Sequence, residues 1–427
     1  MKFIERDVFE MDKVLNHAIV FGASGLIGWA VVDHLLRSDP EYDTFSKVTA
    51  VTNREVKVSE SNWPEPSANR PYLQLISGID LRHGDGFSLA NSLKQAAKDI
   101  ESVTHIYYLV FTAVQDEQEE VATNRCMFRN VIDAHSLLSP NLRFVAFPGG
   151  TRGYGIYVPG GSFTPPLTED MVNSLPPDYA KTVVYPEYRK LLSTASEGKN
   201  WTWCEICPDT IIGFTPNGSQ FSLALHWAQY LSLYAHNHGI GPSMQRAETD
   251  TIEIPFPGNE ASANALFSPV SAKTIARFMI YASLHPEICG GGRLFNIADH
   301  EAPYKFSEIW PQLANWFGLV GTGPPKNLQD QSTALKVSEL PQTTTPLTPG
   351  EYVAKYRDIF TKFGHKKAAS GGVGAGSRQL DSVGYWLTFD RQMSLEELKE
   401  TGFEVNRDPI QGWLETFEMF RKGGLIF

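Results

Sequence analysis

Ala18-Ile19-Val20-Phe21-Gly22-Ala23-Ser24-Gly25-Leu26-Ile27-Gly28 decides how this chain is read. A short apolar run ends in glycines spaced G-x-x-G-x-x-G, and an amphipathic segment, residues 29–37, follows at once. The order predicts strand, tight turn, helix. Glycines let the backbone turn sharply and approach a pyrophosphate, and the helix start offers free N–H groups at a positive dipole end. The same spacing also suits a plain tight turn, so the neighbouring elements must decide.

They agree. Residues 47–51 predict a second strand and 72–76 a third, with a helix over 93–100. Residues 103–111 (VTHIYYLVF) are apolar almost throughout, as buried parallel strands are. A long helix over 124–138 and a strand over 142–147 follow, then a helical stretch around 185–190 and a strand over 201–206. Such alternation for about 200 residues calls for a parallel sheet with helices on both faces, and ligands at strand carboxyl ends.

The fold class expected is therefore α/β: a doubly wound, Rossmann-type parallel sheet with an interleaved, mainly helical C-terminal lobe. A cofactor-binding domain is expected over 14–215 and a substrate lobe over 216–427. Residues 265–300 would return to the sheet. Helices are expected over 221–236, 270–285, 306–317, 390–402 and 409–421, and a strand over 293–297. Residues 321–350 and 368–376 (AASGGVGAG) read as loops.

Composition narrows the function classes. The 427 residues carry 37 Lys plus Arg against 48 Asp plus Glu, a net charge of −11 without a basic block. Nucleic acid and membrane are not expected partners. Residues 1–16 lack the apolar core of a signal peptide, and 221–235 are broken by His226 and Gln229. A cytoplasmic protein is the expectation. Cys204 and Cys207 match C-x-x-C, but three apart on a strand they face opposite sides, without a second pair to complete four ligands. His236 and His238 also lack companions, so no metal is expected.

Cofactor contacts are expected at Gly22, Ser24, Gly25, Leu26, Ile27 and Gly28. Asn53 and Arg54 follow the second strand, where an Arg in place of an acid suits a 2′-phosphate and so NADPH. Asp80 and Leu81 would meet the adenine. Val110, Phe111, Tyr185, Pro208 and Ile211 complete the set. Phe111, Tyr157 and Phe214, with the helix over 221–235, are candidate walls for a small-molecule substrate.

The chain resembles the extended short-chain dehydrogenase/reductases, and more closely their progesterone 5β-reductase and iridoid synthase branch. The resemblance rests on the glycine turn, Arg54 with Trp63-Pro64, and Val103-Thr104-His105-Ile106-Tyr107-Tyr108. Asn124-x-x-Met127-Phe128-Arg129-Asn130-Val131-Ile132-Asp133-Ala134, Thr168-Glu169-Asp170-Met171, Trp201-Thr202-Trp203 and Ile212-Gly213-Phe214-Thr215-Pro216 extend it, followed by Phe295-Asn296-Ile297 and Gly402-Phe403. It implies NADPH-dependent 1,4-reduction of an enone, with Tyr185 as the catalytic phenol, and a possible homodimer. The family lysine falls in Gly149-Gly150-Thr151-Arg152-Gly153-Tyr154, so Arg152 takes its place. Arg189, four after Tyr185, is the rival cation. An exposed ion pair is expected there. A redox-neutral cyclase or isomerase and a non-catalytic NADP-binding sensor are the alternatives.

Overall fold

Seven parallel strands carry the architecture. The computed structural model describes residues 16–37, 44–97, 99–240, 251–325, 347–371 and 378–427. β1 (Asn16–Phe21), β2 (Phe45–Val51), β3 (Tyr72–Ile76), β4 (His105–Tyr108), β5 (Phe144–Pro148) and β6 (Thr202–Pro208) arise in chain order. After the short β7 (Ile211–Ile212), β8 (Glu253–Pro255) and β9 (Val270–Ser271), β10 (Arg293–Ile297) returns to the sheet. The order is β10-β6-β5-β4-β1-β2-β3. From β1 the chain runs outward to β3, then crosses back to β4 on the other side of β1. That reversal opens a crevice at the carboxyl ends of β1 and β4.

Both faces of the sheet are buried, so successive strand residues enter different cores. Ala18 and Val20 join one apolar cluster, Ile19 and Phe21 the other. Cys204 and Cys207 divide likewise, and all four cysteines are free thiols. The first helix, α1 (Leu26–Leu36), is not the amphipathic segment expected over 29–37. Ten of its eleven residues are buried, because the helix Ala272–Leu284 packs over its outer side.

Helix starts also differ from expectation. α2 (Gly86–Ala96) replaces the helix expected over 93–100 and opens on a capping box between Asp85 and Ser88. α3 (Glu117–Leu138) begins seven residues before Asn124, capped by Asp116, whose carboxylate accepts from Glu119 N at 2.8 Å. The helix Tyr185–Ser196 lies against α3.

Beyond the sheet, the helix Leu223–Asn237 is wrapped on nearly all sides. Trp227 stacks on Trp413 of the helix Pro409–Lys422, ring centroids 5.5 Å apart. The helix expected over 390–402 shrinks to Glu396–Glu400, with Arg391 fully buried before it. Residues 368–371, read as the start of a loop, belong to a short helix, Lys366–Gly371. The rest of that loop, and most of the one expected over 321–350, lie outside the described residues. Among the described residues no helix is long and apolar enough to cross a membrane, and no cluster of three or more His, Cys, Asp or Glu could hold a metal ion.

Candidate active site

A cavity of about 1090 Å³ occupies the crevice at the sheet's carboxyl edge. Its floor is the glycine turn. Gly22 has φ of +78°, and a Cβ there would sit 2.5 Å from Leu109 O, so only glycine closes this turn against β4. A Cβ on Gly28 would run into Gly22 O, so α1 lies directly against the turn. Gly25 opens α1 without a side-chain cap. The first N–H groups of the helix therefore stay available to an anion where Ser24, Gly25, Leu26 and Ile27 line the cavity. These residues fit the pyrophosphate of a dinucleotide.

Asn53, Arg54, Asp80 and Arg82 line one end of the cavity. Arg54 is exposed and makes no ion pair among the described residues, whereas Thr52 Oγ1 donates to Arg54 O at 2.7 Å and holds its loop. Asp80 is engaged by Arg82 at 2.5 Å, and that hydrogen-bonded guanidinium pulls its carboxyl down to about 2. Arg82 went unnoticed in the sequence because nothing distinguishes it from a surface cation.

The other end is chemically richer. Val110, Phe111, Tyr157, Tyr185, Pro208 and Ile211 all line it. The Tyr185 hydroxyl has no hydrogen-bond partner among the described residues, and a Cβ on Gly150 would lie 3.0 Å from it. Burial pushes the Tyr185 phenol up, against the downward pull of Arg152. Tyr185 therefore stays protonated in the neutral range, as a donor must. The Arg152 guanidinium is held by Glu120 Oε1 at 2.7 Å, by Thr182 O at 3.2 Å, and by the face of Tyr157, 5.0 Å to the ring centroid.

Arg189 is placed differently. It grips Glu205 at 2.6 Å and 3.3 Å, and Glu205 is 1% exposed on β6. This pair is buried beneath the loop 149–153, not exposed as expected from helix spacing. Gly149 has no room for a Cβ because Glu205 Oε1 occupies that space. Arg152, not Arg189, borders the cavity.

Two expected contacts lie off the cavity besides Gly22 and Gly28, which shape the turn without lining it. Leu81 turns its side chain into the core beside Leu89 and Leu93. Phe214 packs on Trp29 at 5.0 Å and Phe420 at 5.7 Å, because the chain after β7 dives under α1. His236 stacks on Phe427 and His238 on Tyr234.

Other lining residues had no sequence signal. Leu380, Val383, Trp386 and Leu387 close the far wall, with Trp386 against Tyr157 at 4.8 Å and Phe111 against Phe221 at 5.8 Å. Asp209 accepts from Thr151 Oγ1 at 3.1 Å and pairs with the buried Arg391 at 3.2 Å, tying the loop 149–153 to the C-terminal region.

Known proteins resemble this chain in sequence and fold. The profile of the PRISE-like Rossmann-fold domain matches residues 18–426. The chain is 34% identical over 314 residues to "Short chain dehydrogenase sirQ" of Leptosphaeria maculans, covering 72% of this chain and 75% of that one. It is 29% identical over 425 residues to "Short chain dehydrogenase ausT" of Aspergillus calidoustus, covering 97% and 95%. With "3-oxo-Delta(4,5)-steroid 5-beta-reductase" of Arabidopsis thaliana it shares 27% over 307 residues, covering 71% and 69%. Among solved structures, a GDP-mannoheptose C4 reductase from Campylobacter jejuni with NADP bound superposes with a TM-score of 0.54 at 13% identity. That match covers 96% of this chain and 99% of the other, and it speaks for the fold alone.

Proposed function

The chain belongs to the family of PRISE-like Rossmann-fold domains among the short-chain dehydrogenase/reductases, and from that premise we propose an NADPH-dependent reductase of an enone or carbonyl group on an apolar small molecule. One observation carries this reading. A protonated, unpartnered phenol, Tyr185, lies in the same cavity as the glycine turn, with a fixed cation beside it.

When bound, the nicotinamide supplies hydride. The residues of the chain do the remainder. Ser24 to Ile27 receive the pyrophosphate, and Arg54 faces the ribose end. Tyr185 donates a hydrogen bond to the substrate oxygen as negative charge develops there, which is the most effective place for a fixed donor. Arg152 stabilises that charge but keeps its own proton, since a guanidinium does not release one. Phe111, Tyr157, Phe221 and Trp386 exclude water and suit an apolar skeleton.

Nicotinamide absorbance tests the reading. With a panel of apolar enones and ketones, NADPH should be consumed and NADH spared. NADPH that binds and is not consumed with any of them would sink it. Arg54→Ala should weaken NADPH binding by about 1.5 kcal/mol or more, roughly tenfold, through loss of a charge-assisted hydrogen bond, and leave NADH affinity unchanged. Equal wild-type affinity for the two cofactors would refute that role.

Arg152→Ala should lower turnover about 10- to 100-fold, the equivalent of one charged hydrogen bond, whereas Arg152→Lys keeps substantial activity. Steady-state rates for the two variants check this. An active Arg152→Ala would remove the cation from the mechanism.

A further inference from the structure

An arginine delivers its charge to a chosen point only if its planar fork is oriented, because the stem is long and rich in rotamers. At Arg152 the orientation comes from Glu120, on the first turn of α3. Glu120 is 9% exposed at its side chain, and both of its oxygens are engaged. Oε1 takes Arg152 Nη1 at 2.7 Å and Oε2 takes Val114 N at 3.2 Å.

Glu120 is itself anchored. One turn later Asn124 accepts from Thr112 N at 2.9 Å and donates to Thr112 O and to Glu120 O, both at 2.8 Å. The segment after β4 and the first turns of α3 thus form one hydrogen-bonded unit. Glu120 connects that unit to the loop after β5, which carries Arg152. On the other side of the guanidinium, Tyr157 stacks and Thr182 O accepts, and neither brings a charge.

We propose that Glu120 is the positioning residue for Arg152. It fixes the guanidinium at the Tyr185 end of the cavity and balances its charge there, so that the site presents an oriented donor in place of a mobile cation. The proposal rests on the reductase reading above and adds a residue to it. Glu120 is among the residues lining the cavity, and in this role it acts on the guanidinium it holds. Its whole effect on rate passes through Arg152.

The experiment is a double-mutant cycle on the full chain, with Glu120→Gln, Arg152→Ala and both together, and Glu120→Asp as a milder variant. Turnover and KM are read with NADPH and an active enone, and NADPH affinity separately by its fluorescence. Glu120→Gln should lower kcat about 10- to 100-fold, as sub-ångström to ångström misplacement of a site group does, with NADPH affinity at the wild-type value. Glu120→Asp should recover part of the rate. In the Arg152→Ala background, Glu120→Gln should cost nothing further, because the group it positions is gone.

Wild-type kcat in Glu120→Gln, or losses that multiply in the double variant, would overturn the proposal while leaving the reductase reading intact. A wild-type chain that binds NADPH and consumes none with any substrate overturns both.

Discussion

Arg189→Ala is expected to destabilise the protein by about 3–5 kcal/mol, the cost of stripping one partner from a buried ion pair. Glu205 lies on β6 at 1% exposure, and Arg189 is the cation paired with it. Burial already pushes the Glu205 carboxyl up, and Arg189 opposes that push. In the variant the opposition is gone, so folded Glu205 binds a proton more readily than unfolded Glu205.

The sign of the pH dependence follows. When the folded state binds more protons, stability falls as pH rises. The deficit of Arg189→Ala should therefore be smaller in mild acid, where Glu205 enters the core neutral, and larger above neutrality. Urea midpoints at several pH values measure it. Replacing both partners, Arg189→Met with Glu205→Gln, should recover much of the loss, since no lone charge remains. A variant as stable as wild type at every pH would mean that the pair opens to water.

Arg189 also shows where sequence reading stops. Its spacing to Tyr185 is the helical i, i+4 that makes neighbours, and the spacing is real. The side chain nevertheless turns to β6, because a buried Glu205 there attracts it more strongly than an already protonated phenol. One acid out of 48 Asp and Glu carries no mark of burial in the sequence, and Glu120 was missed for the same reason. It stands in Glu117-Gln118-Glu119-Glu120, a run that reads as solvated and is in fact a helix start with one residue turned inward.

The sheet was far more legible. Strands buried on both faces must be largely apolar over consecutive residues. β1 and β4 are buried along their whole length, and the partly exposed edge strands β3 and β10 also fall on the stretches expected of them, 72–76 and 293–297. The glycine turn was legible because strand and helix flank it. The far wall of the cavity was not. Trp386 meets Tyr157 across more than two hundred residues of chain, Leu380, Val383 and Leu387 line the same cavity, and only packing brings them together.

The remaining large effect concerns the phenol itself. If Tyr185 donates to the developing oxyanion, Tyr185→Phe removes one fixed donor, and turnover should fall about 10²–10³-fold. The ring stays, and the ring is what packs. A Cβ on Gly153 would lie 3.3 Å from Tyr185 Cδ2 and one on Gly150 3.0 Å from the hydroxyl, so the loop 149–153 meets the ring and its hydroxyl by packing and not by a hydrogen bond. Stability and NADPH affinity should therefore stay near wild type. Because the hydroxyl has no partner among the described residues, its removal breaks no bond within the protein, and the loss reads as chemistry alone. The direction of its titration adds a second check. Burial holds the phenol protonated well above neutrality, so the wild-type rate should show no loss from Tyr185 ionisation between pH 6 and about 9. A Phe variant that turns over at the wild-type rate would make Tyr185 a packing residue and move the proton donor elsewhere in the cavity.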